Sequence, residues 1–256
     1  SGYGKCELIE LYIDQSSDDK AFFRPGDFVR FRVTKPYSIA PVTGVFTGAC
    51  EAVTDIPFQV EYEETGADVL EIKAFSADRS DEHEERLEPK DYDYHEGDIV
   101  LEKCPTCGAP KALSSFKWQE DQGTITDTRS GRRMVTIGSY VMDPLFEELE
   151  EELGDTIPRA VVESQRRFVK TGFFSVDEIR NENDFRDHLA LKGMGNLREM
   201  SMNPKSLRMR IENAICYLTM VGTMQALFEM AYDVDSQVEW EVSGAGDLQI
   251  QVIPKR

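Results

Sequence analysis

Two stretches of this chain, residues 29–74 and 207–252, align without a gap when the first is moved forward by 178 positions. Thirteen positions are identical, among them Arg30 with Arg208, Arg32 with Arg210, Gly44 with Gly222, Glu51 with Glu229, Asp55 with Asp233, Gln59 with Gln237, Gly66 with Gly244 and Ile72 with Ile250. Any two strand-and-helix segments share apolar periodicity. Shared Gly, Asp and Glu at positions expected on the surface have no such trivial origin, so the chain reads as an internal duplication.

The pattern within one copy says what was duplicated. Phe28-Val-Arg-Phe-Arg-Val33 largely alternates apolar with basic residues, as a half-buried strand does, and Pro25 and Gly26 punctuate its start. Residues 42–53 carry small and apolar side chains at helical spacing, and Pro57 ends them. Two alternating runs, 59–63 and 69–74, flank Glu64-Thr65-Gly66-Ala67-Asp68, which reads as a β-hairpin turn. Each copy is therefore a strand, a helix and a hairpin. Two copies are too few for a solenoid, which needs about three stacked repeats. The expected class is α/β of the α+β type, an antiparallel sheet with helices on one face.

Between the copies, residues 78–98 are dense in acidic side chains and read as a solvated linker. Strand-like runs follow at 115–119, 123–128 and 133–138, the last two joined by Arg129-Ser130-Gly131. Three helices are expected next: 143–153, ended by Gly154; 158–171, with Pro158 in its first turn; and 176–191, opened by a capping box of Ser175 and Glu178. This divides the chain into an N-terminal half-copy at 1–80, a linker with a cysteine-bearing turn at 81–110, and a larger unit at 111–256.

Charge and cysteine content narrow the function. With 48 Asp plus Glu against 29 Lys plus Arg, the net charge of -19 repels phosphate backbones and anionic lipid, which argues against nucleic acid as a partner. No apolar run approaches the roughly 18–20 residues that cross a bilayer, and the first six residues lack the basic and apolar regions of a signal peptide. Membrane insertion is not expected. Five cysteines, an odd number, point to a reducing compartment with free or metal-bound thiols, and hence to a cytoplasmic protein.

The sharpest local motif is Cys104-Pro-Thr-Cys107-Gly-Ala-Pro110. A tight turn with this spacing presents two thiolates to one ion, as the first half of a zinc knuckle does. The same residues also read as a degenerate knuckle, as two free thiols or as a redox pair. Structural zinc takes four ligands, so the rest would come from His95, the nearest candidate, from His83, Cys6 or Cys50, or from a partner subunit. Cys216 lies in an apolar helical run and reads as core. No nucleophile motif, phosphate-gripping loop or complete dinucleotide-binding glycine pattern is present, and no residue is singled out as catalytic. Trp118, Tyr140, Phe168, Tyr217, Met220 and Met224 are the candidate walls of an apolar ligand site, although side chains of these types also fill ordinary cores.

Residues 111–253 also resemble the 4-vinyl reductase (hydrocarbon-binding) domains, relatives of subunits of the transport protein particle. The likeness is carried by Leu207-Arg-Met-Arg-Ile211 with Asn213-Ala214, by the helix through Gly222, Leu227 and Glu229, and by the hairpin from Val238-Glu-Trp-Glu-Val242 to Asp247-Leu-Gln-Ile-Gln-Val252. Residues 159–172 are similar to the helix preceding that core. The resemblance implies a dimeric domain enclosing an apolar pocket for a hydrophobic or aromatic ligand. Many such domains place metal-binding cysteines around the final hairpin, and residues 242–251 contain none. The reading that follows is a small-molecule-binding or accessory protein, a homodimer or a subunit of a complex, for a hydrophobic, aromatic or acyl compound. Two alternatives stand beside it: an enzyme or enzyme subunit acting on an aromatic or acyl substrate, and an assembly factor docking through its acidic surface.

Overall fold

The structure is a computed structural model, and it describes residues 2–14, 23–24, 26–76, 93–179 and 181–255. The chain forms two compact units, Ser1–His83 with Leu113–Ile137, and Glu84–Ala112 with Gly138–Arg256. The strands at 116–134, assigned by sequence to the larger C-terminal unit, pack with the N-terminal one instead. Arg133 explains part of this, because its guanidinium donates to the carbonyls of Gly2 at 3.0 Å and Lys35 at 2.6 Å.

The N-terminal unit contains β1 (Lys5–Tyr12), β2 (Phe28–Thr34), helix α1 (Ile39–Thr54), β3 (Phe58–Gly66) and β4 (Val69–Ser76), in the antiparallel sheet order β1-β2-β4-β3. Three short strands, β5 (Phe116–Gln119), β6 (Thr124–Asp127) and β7 (Arg133–Met134), make a second small sheet. In the C-terminal unit, α2 (Ser139–Leu153), α3 (Ile157–Phe168) and α4 (Glu182–Leu191) precede β8 (Asn196–Asn203), β9 (Ser206–Glu212), α5 (Tyr217–Tyr232), β10 (Ser236–Val242) and β11 (Leu248–Pro254). Their sheet order is β8-β9-β11-β10. The α+β class and the duplicated strand-helix-hairpin unit are therefore observed.

The duplication extends to register. Val33 faces Leu70 as Ile211 faces Leu248, and Val60 faces Ala74 as Val238 faces Val252. Each sheet also gains an edge strand that the ungapped alignment does not reach, β1 in one copy and β8 in the other. Both carry a register shift, between Leu8 and Glu10 and between Leu197 and Glu199. A bulge inserts a residue and breaks period-2 alternation, which hides such strands from pattern reading.

The shared polar residues have structural work. Asp55 and Asp233 both end their helices in the left-handed conformation, at φ 57 and 53, each donating its backbone N–H to the Glu four residues earlier. That Glu in turn accepts the backbone N–H that opens the next strand: Glu51 from Phe58 at 3.0 Å, and Glu229 from Ser236 at 2.9 Å. One carboxylate thus fixes the helix-to-strand corner in both copies, satisfying a strand-end donor that would otherwise stand unpaired.

The copies differ in what covers the helix. On α1, the buried residues are Val42 and Thr43, whereas on α5 they run almost unbroken from Leu218 to Glu229. A helix apolar all round is covered all round. One face of α5 meets β10 and β11, and the opposite face meets α3. At the crossing, a Cβ placed on Gly222 would lie 2.4 Å from the Val162 carbonyl oxygen, while one on Gly44 meets nothing within 4 Å. Gly222 is thus the point of close helix approach. The core of this unit joins Leu207, Ile211, Leu248 and Val252 of the sheet to Val221, Leu227 and Phe228 of α5.

Helix bounds depart from expectation in three places: the helix expected at 143–153 begins at Ser139, the one expected at 158–171 gives way to a π turn after Phe168, and the third is divided. The single helix expected at 176–191 is a short 3-10 turn, Val176–Ile179, followed by α4. Ser175 does cap locally, accepting the Asp177 N–H at 3.2 Å, but α4 is opened by Asn181, whose side chain accepts from Asn183 and Asp184 N–H. Asn181 is the competing N-cap that the sequence reading passed over.

Candidate functional site

A partly enclosed hollow of about 70 Å³ lies in the C-terminal unit between α3, α4 and α5. Chain reversal after α3 builds it. The helix relaxes into a π turn, Val169–Phe173, and Gly172 at φ 89 lets the chain leave the helical path. Phe174 then folds back against the core, and Ile179 closes the wall fully buried. Phe185 and Leu189 contribute from α4, Met194 from the link to β8, and Met220 and Leu227 from α5.

Polar groups at the rim are engaged with one another. Gln165 donates through Nε2 to Thr223 Oγ1 at 3.0 Å, and Thr223 Oγ1 donates to the Thr219 carbonyl at 2.8 Å. Lys192 Nζ sits 5.8 Å from the Phe174 ring centroid. A guest in this space would meet mainly methyl, thioether and aromatic surface, with the hydroxyl and amide groups already satisfied and with His188 and Lys192 also in the lining. A larger hollow of about 730 Å³ lies on the outer face of the β8–β11 sheet, but it is an open, charged trough. There Arg210 bonds Glu199 and Glu212, and Arg208 is exposed. Water competes for every group in such a trough, so the smaller, less open and more apolar space is the better ligand site.

Neither a protein-family model nor a curated protein matches the chain. Several solved structures are similar to part of the chain, three of them as follows. The phenol-responsive sensory domain of the transcription activator PoxR, crystallised with phenol, is 12% identical with a TM-score of 0.39, over 56% of this chain and 86% of that one. The Fe(II) unliganded H-NOX protein from K. algicida is 12% identical with a TM-score of 0.36, over 57% and 85% of the two chains. A Cs H-NOX mutant is 18% identical with a TM-score of 0.33, over 57% and 84%.

The six residues proposed from sequence as ligand walls are dispersed. Met220 lines the hollow. Met224, one turn on, is wholly buried in the core, and Tyr217 packs at the core's edge. Burial and the carboxylates of Glu147, Asp143 and Glu150 push the Tyr217 phenol up to about 12. Phe168 is 45% exposed on α3, and Trp118 is 52% exposed on β5 of the other unit, edge-on to Phe116. The Tyr140 side chain lies outside the described residues. Spacing along α5 could have indicated Thr223 and Leu227, which share a face with Met220 at i+3 and i+7. Phe174, Ile179 and Met194 come from turns and links, where no periodicity marks them.

Cys104 and Cys107 sit in a well-formed turn of the C-terminal unit. Cys104 N–H donates to the Ala109 carbonyl at 2.7 Å, Gly108 N–H to the Cys104 carbonyl at 2.9 Å, and Lys103 pairs with Pro110 as an isolated bridge. Backbone N–H groups of Cys107 and Thr106, followed by the Cys107 thiol, hydrogen-bond the Cys104 sulfur and hold its thiol below the ordinary range. His95 does not join them. Its backbone N–H donates to Asn213 Oδ1 at 2.8 Å, and its Nε2 lies 3.5 Å from Asp247 Oδ1. Among the described residues no three His, Cys, Asp or Glu side chains gather as a metal site. His83 lies outside the described residues.

A dense electrostatic cluster surrounds Glu229, fully buried in its side chain. Its Oε2 accepts from Arg166 Nε at 2.8 Å and Lys170 Nζ at 2.6 Å, and its Oε1 accepts from Ser236. Burial alone would raise this carboxyl's pKa, but bonds from Arg166, Lys170 and Ser236 outweigh it and hold the group below its usual value. This cluster fastens α3 to α5 beside the hollow and is occupied by its own partners. Among the described residues no helix is long and apolar enough to cross a membrane.

Proposed function

We propose that the C-terminal unit is a small-molecule-binding module of the 4-vinyl reductase (hydrocarbon-binding) type, taking a compact apolar or aromatic compound between α3, α4 and α5. The observation that supports this reading is the partly enclosed hollow, whose walls are Phe174, Ile179, Phe185, Leu189, Met194, Met220 and Leu227 and whose rim hydroxyls and amide already have hydrogen-bond partners. At about 70 Å³ it is roughly half the volume of a 150 Å³ apolar cavity that admits benzene. Entry of one ring therefore displaces Met194 or Met220, unbranched side chains that change rotamer at low cost.

The test is thermal unfolding of the full chain with toluene, phenol or xenon. A ligand at about 100 times its Kd adds about 2.7 kcal/mol, which at about 2–4 °C per kcal/mol raises Tm by roughly 5–10 °C. Met220→Phe, which fills the space, removes that rise. An unchanged Tm with all three probes at saturation would overturn the proposal.

A further inference from the structure

We infer that α4 and the link that follows it form a lid over the apolar hollow, and that Asp98, on the strap of residues 93–101, is the catch that holds this lid shut. The inference rests on the reading of that hollow as a ligand site and concerns how a guest enters and leaves it.

Four residues, Lys192 to Gly195, join α4 to β8. Met194 of this link lines the hollow, as do Phe185 and Leu189 of α4. Gly193 at φ 67 stands in open space, in a conformation glycine adopts at no steric cost. Gly195 at φ 125 is seated tightly, since a Cβ there would lie 2.6 Å from Ile211 Cγ2 and 2.9 Å from the Glu212 carbonyl oxygen. The link is therefore fixed at its β8 end and turns at Gly193. The Met194 carbonyl accepts one long bond, from Ile215 N–H at 3.3 Å. A small outward turn of α4 withdraws Met194 and Leu189 from the hollow together, and leaves the α3 and α5 walls in place.

One carboxylate oxygen ties α4 to β8 across this link. Asp98 Oδ1 accepts from Arg186 of α4 at 2.6 Å and, on β8, from Asn196 Nδ2 at 2.9 Å and Arg198 Nη1 at 2.8 Å. Arg186 also donates to Asn196 Oδ1 and the Leu197 carbonyl, so the clasp spans both ends of the link. With Asp98 in place, two guanidiniums are drawn to a single oxygen. With Asp98 withdrawn, the same two like charges face each other, one on the lid and one on the sheet. Asp98 thus decides whether the lid is attracted to β8 or pushed from it.

The strap that carries Asp98 is lightly attached. Residues 93–101 form no helix or strand, and Val100 is 91% exposed. An open hollow of about 380 Å³ lies between Tyr94, Gly97, Ile99 and Leu101 of the strap and Gly193 and Gly195 of the link. A second anchor is Asn213, whose side chain exchanges bonds of 2.8 and 3.0 Å with the His95 backbone. A segment held by exposed polar contacts rather than by packed apolar surface opens locally at low free energy, which is what a catch requires.

The experiment uses the full chain with carbon-13 at the methionine methyl groups, and toluene as the probe. The Met194 and Met220 methyl signals should shift as toluene saturates the hollow, and exchange between free and bound forms gives the entry and exit rates. A lid changes both rates alike and leaves affinity where it was. In Asp98→Ala, entry and exit should both quicken by about threefold to tenfold, with Kd within about twofold of the parent. A second arm needs no folded variant: raising sodium chloride to about 1 M, where screening acts over ~3 Å, should quicken toluene exit in the parent. Toluene entering and leaving Asp98→Ala at the parent's rates would overturn the catch and leave the ligand site standing. Faster exit with unchanged entry would make Asp98 a support of the walls, and would overturn it equally. Toluene that shifts neither methyl signal in the parent would remove the ligand site and the lid together.

Discussion

Gly44 and Gly222 occupy equivalent places in the two copies, and replacing each by alanine should have opposite effects. Intrinsically, Gly→Ala in a helix interior stabilises by up to about 1 kcal/mol. At Gly44 the new methyl meets nothing within 4 Å, so that gain is expected in full. At Gly222 the methyl carbon would sit 2.4 Å from the Val162 carbonyl oxygen and 2.8 Å from Gln165 Cβ. An ordinary carbon–oxygen contact is about 3.3 Å, so α3 must retreat by about 0.9 Å from α5. The obstructing atom is backbone and cannot rotate away. Forced overpacking costs about 1–3 kcal/mol, and a backbone clash belongs at the upper end. The net expectation for Gly222→Ala is a loss of about 2 kcal/mol, against a gain of about 1 for Gly44→Ala. Scanning calorimetry measures both, and hydrogen exchange in β3 and β10 assigns each change to its own unit. Gly222→Ala as stable as the parent would refute the close α3–α5 crossing, and with it the walls of the hollow.

Removing the Glu229 carboxylate should be costly, because it strands Arg166 and Lys170 beside a buried site: Glu229→Leu should lose about 3–5 kcal/mol in urea unfolding, and Glu51→Leu far less. Glu229 is held below its unfolded value, so its contribution is complete above the ordinary glutamate range and is lost as pH falls through the lower folded value. Unfolding midpoints between pH 6 and pH 3 should drop less in Glu229→Leu than in the parent. Asp98 accepts from Arg186 at 2.6 Å and Asn196 at 2.9 Å, and it pairs with Arg198; Asp98→Ala should raise hydrogen exchange across 93–101 while leaving α5 protected. Burial and then Asp143 push the Cys216 thiol up to about 11, so in chelator at pH 7.5 iodoacetamide should label Cys104 before Cys216, as peptide mass mapping would show.

Residues whose role is local were legible from the chain alone. The alternation in β2, the spacing in α1 and the Gly66 turn each follow from short-range sterics, and identity at Glu51/Glu229 and Asp55/Asp233 recorded a corner that every copy must build. The paired cysteines were readable for the same reason, since four residues suffice to make their turn. Tertiary structure decided the rest. Which copy's helix would be covered depended on α3 reaching Gly222 from some 60 residues away, and no period in α1 or α5 encodes that partner. The ligand walls come from α3, two turns, α4 and α5 at once, so single-helix spacing could find Met220 but not Phe174 or Met194. Trp118 looked like a wall by residue type and stands exposed in the other unit, because β5 pairs with β6 beside the N-terminal sheet. Side-chain chemistry is written residue by residue, whereas an enclosed space exists only where distant segments meet.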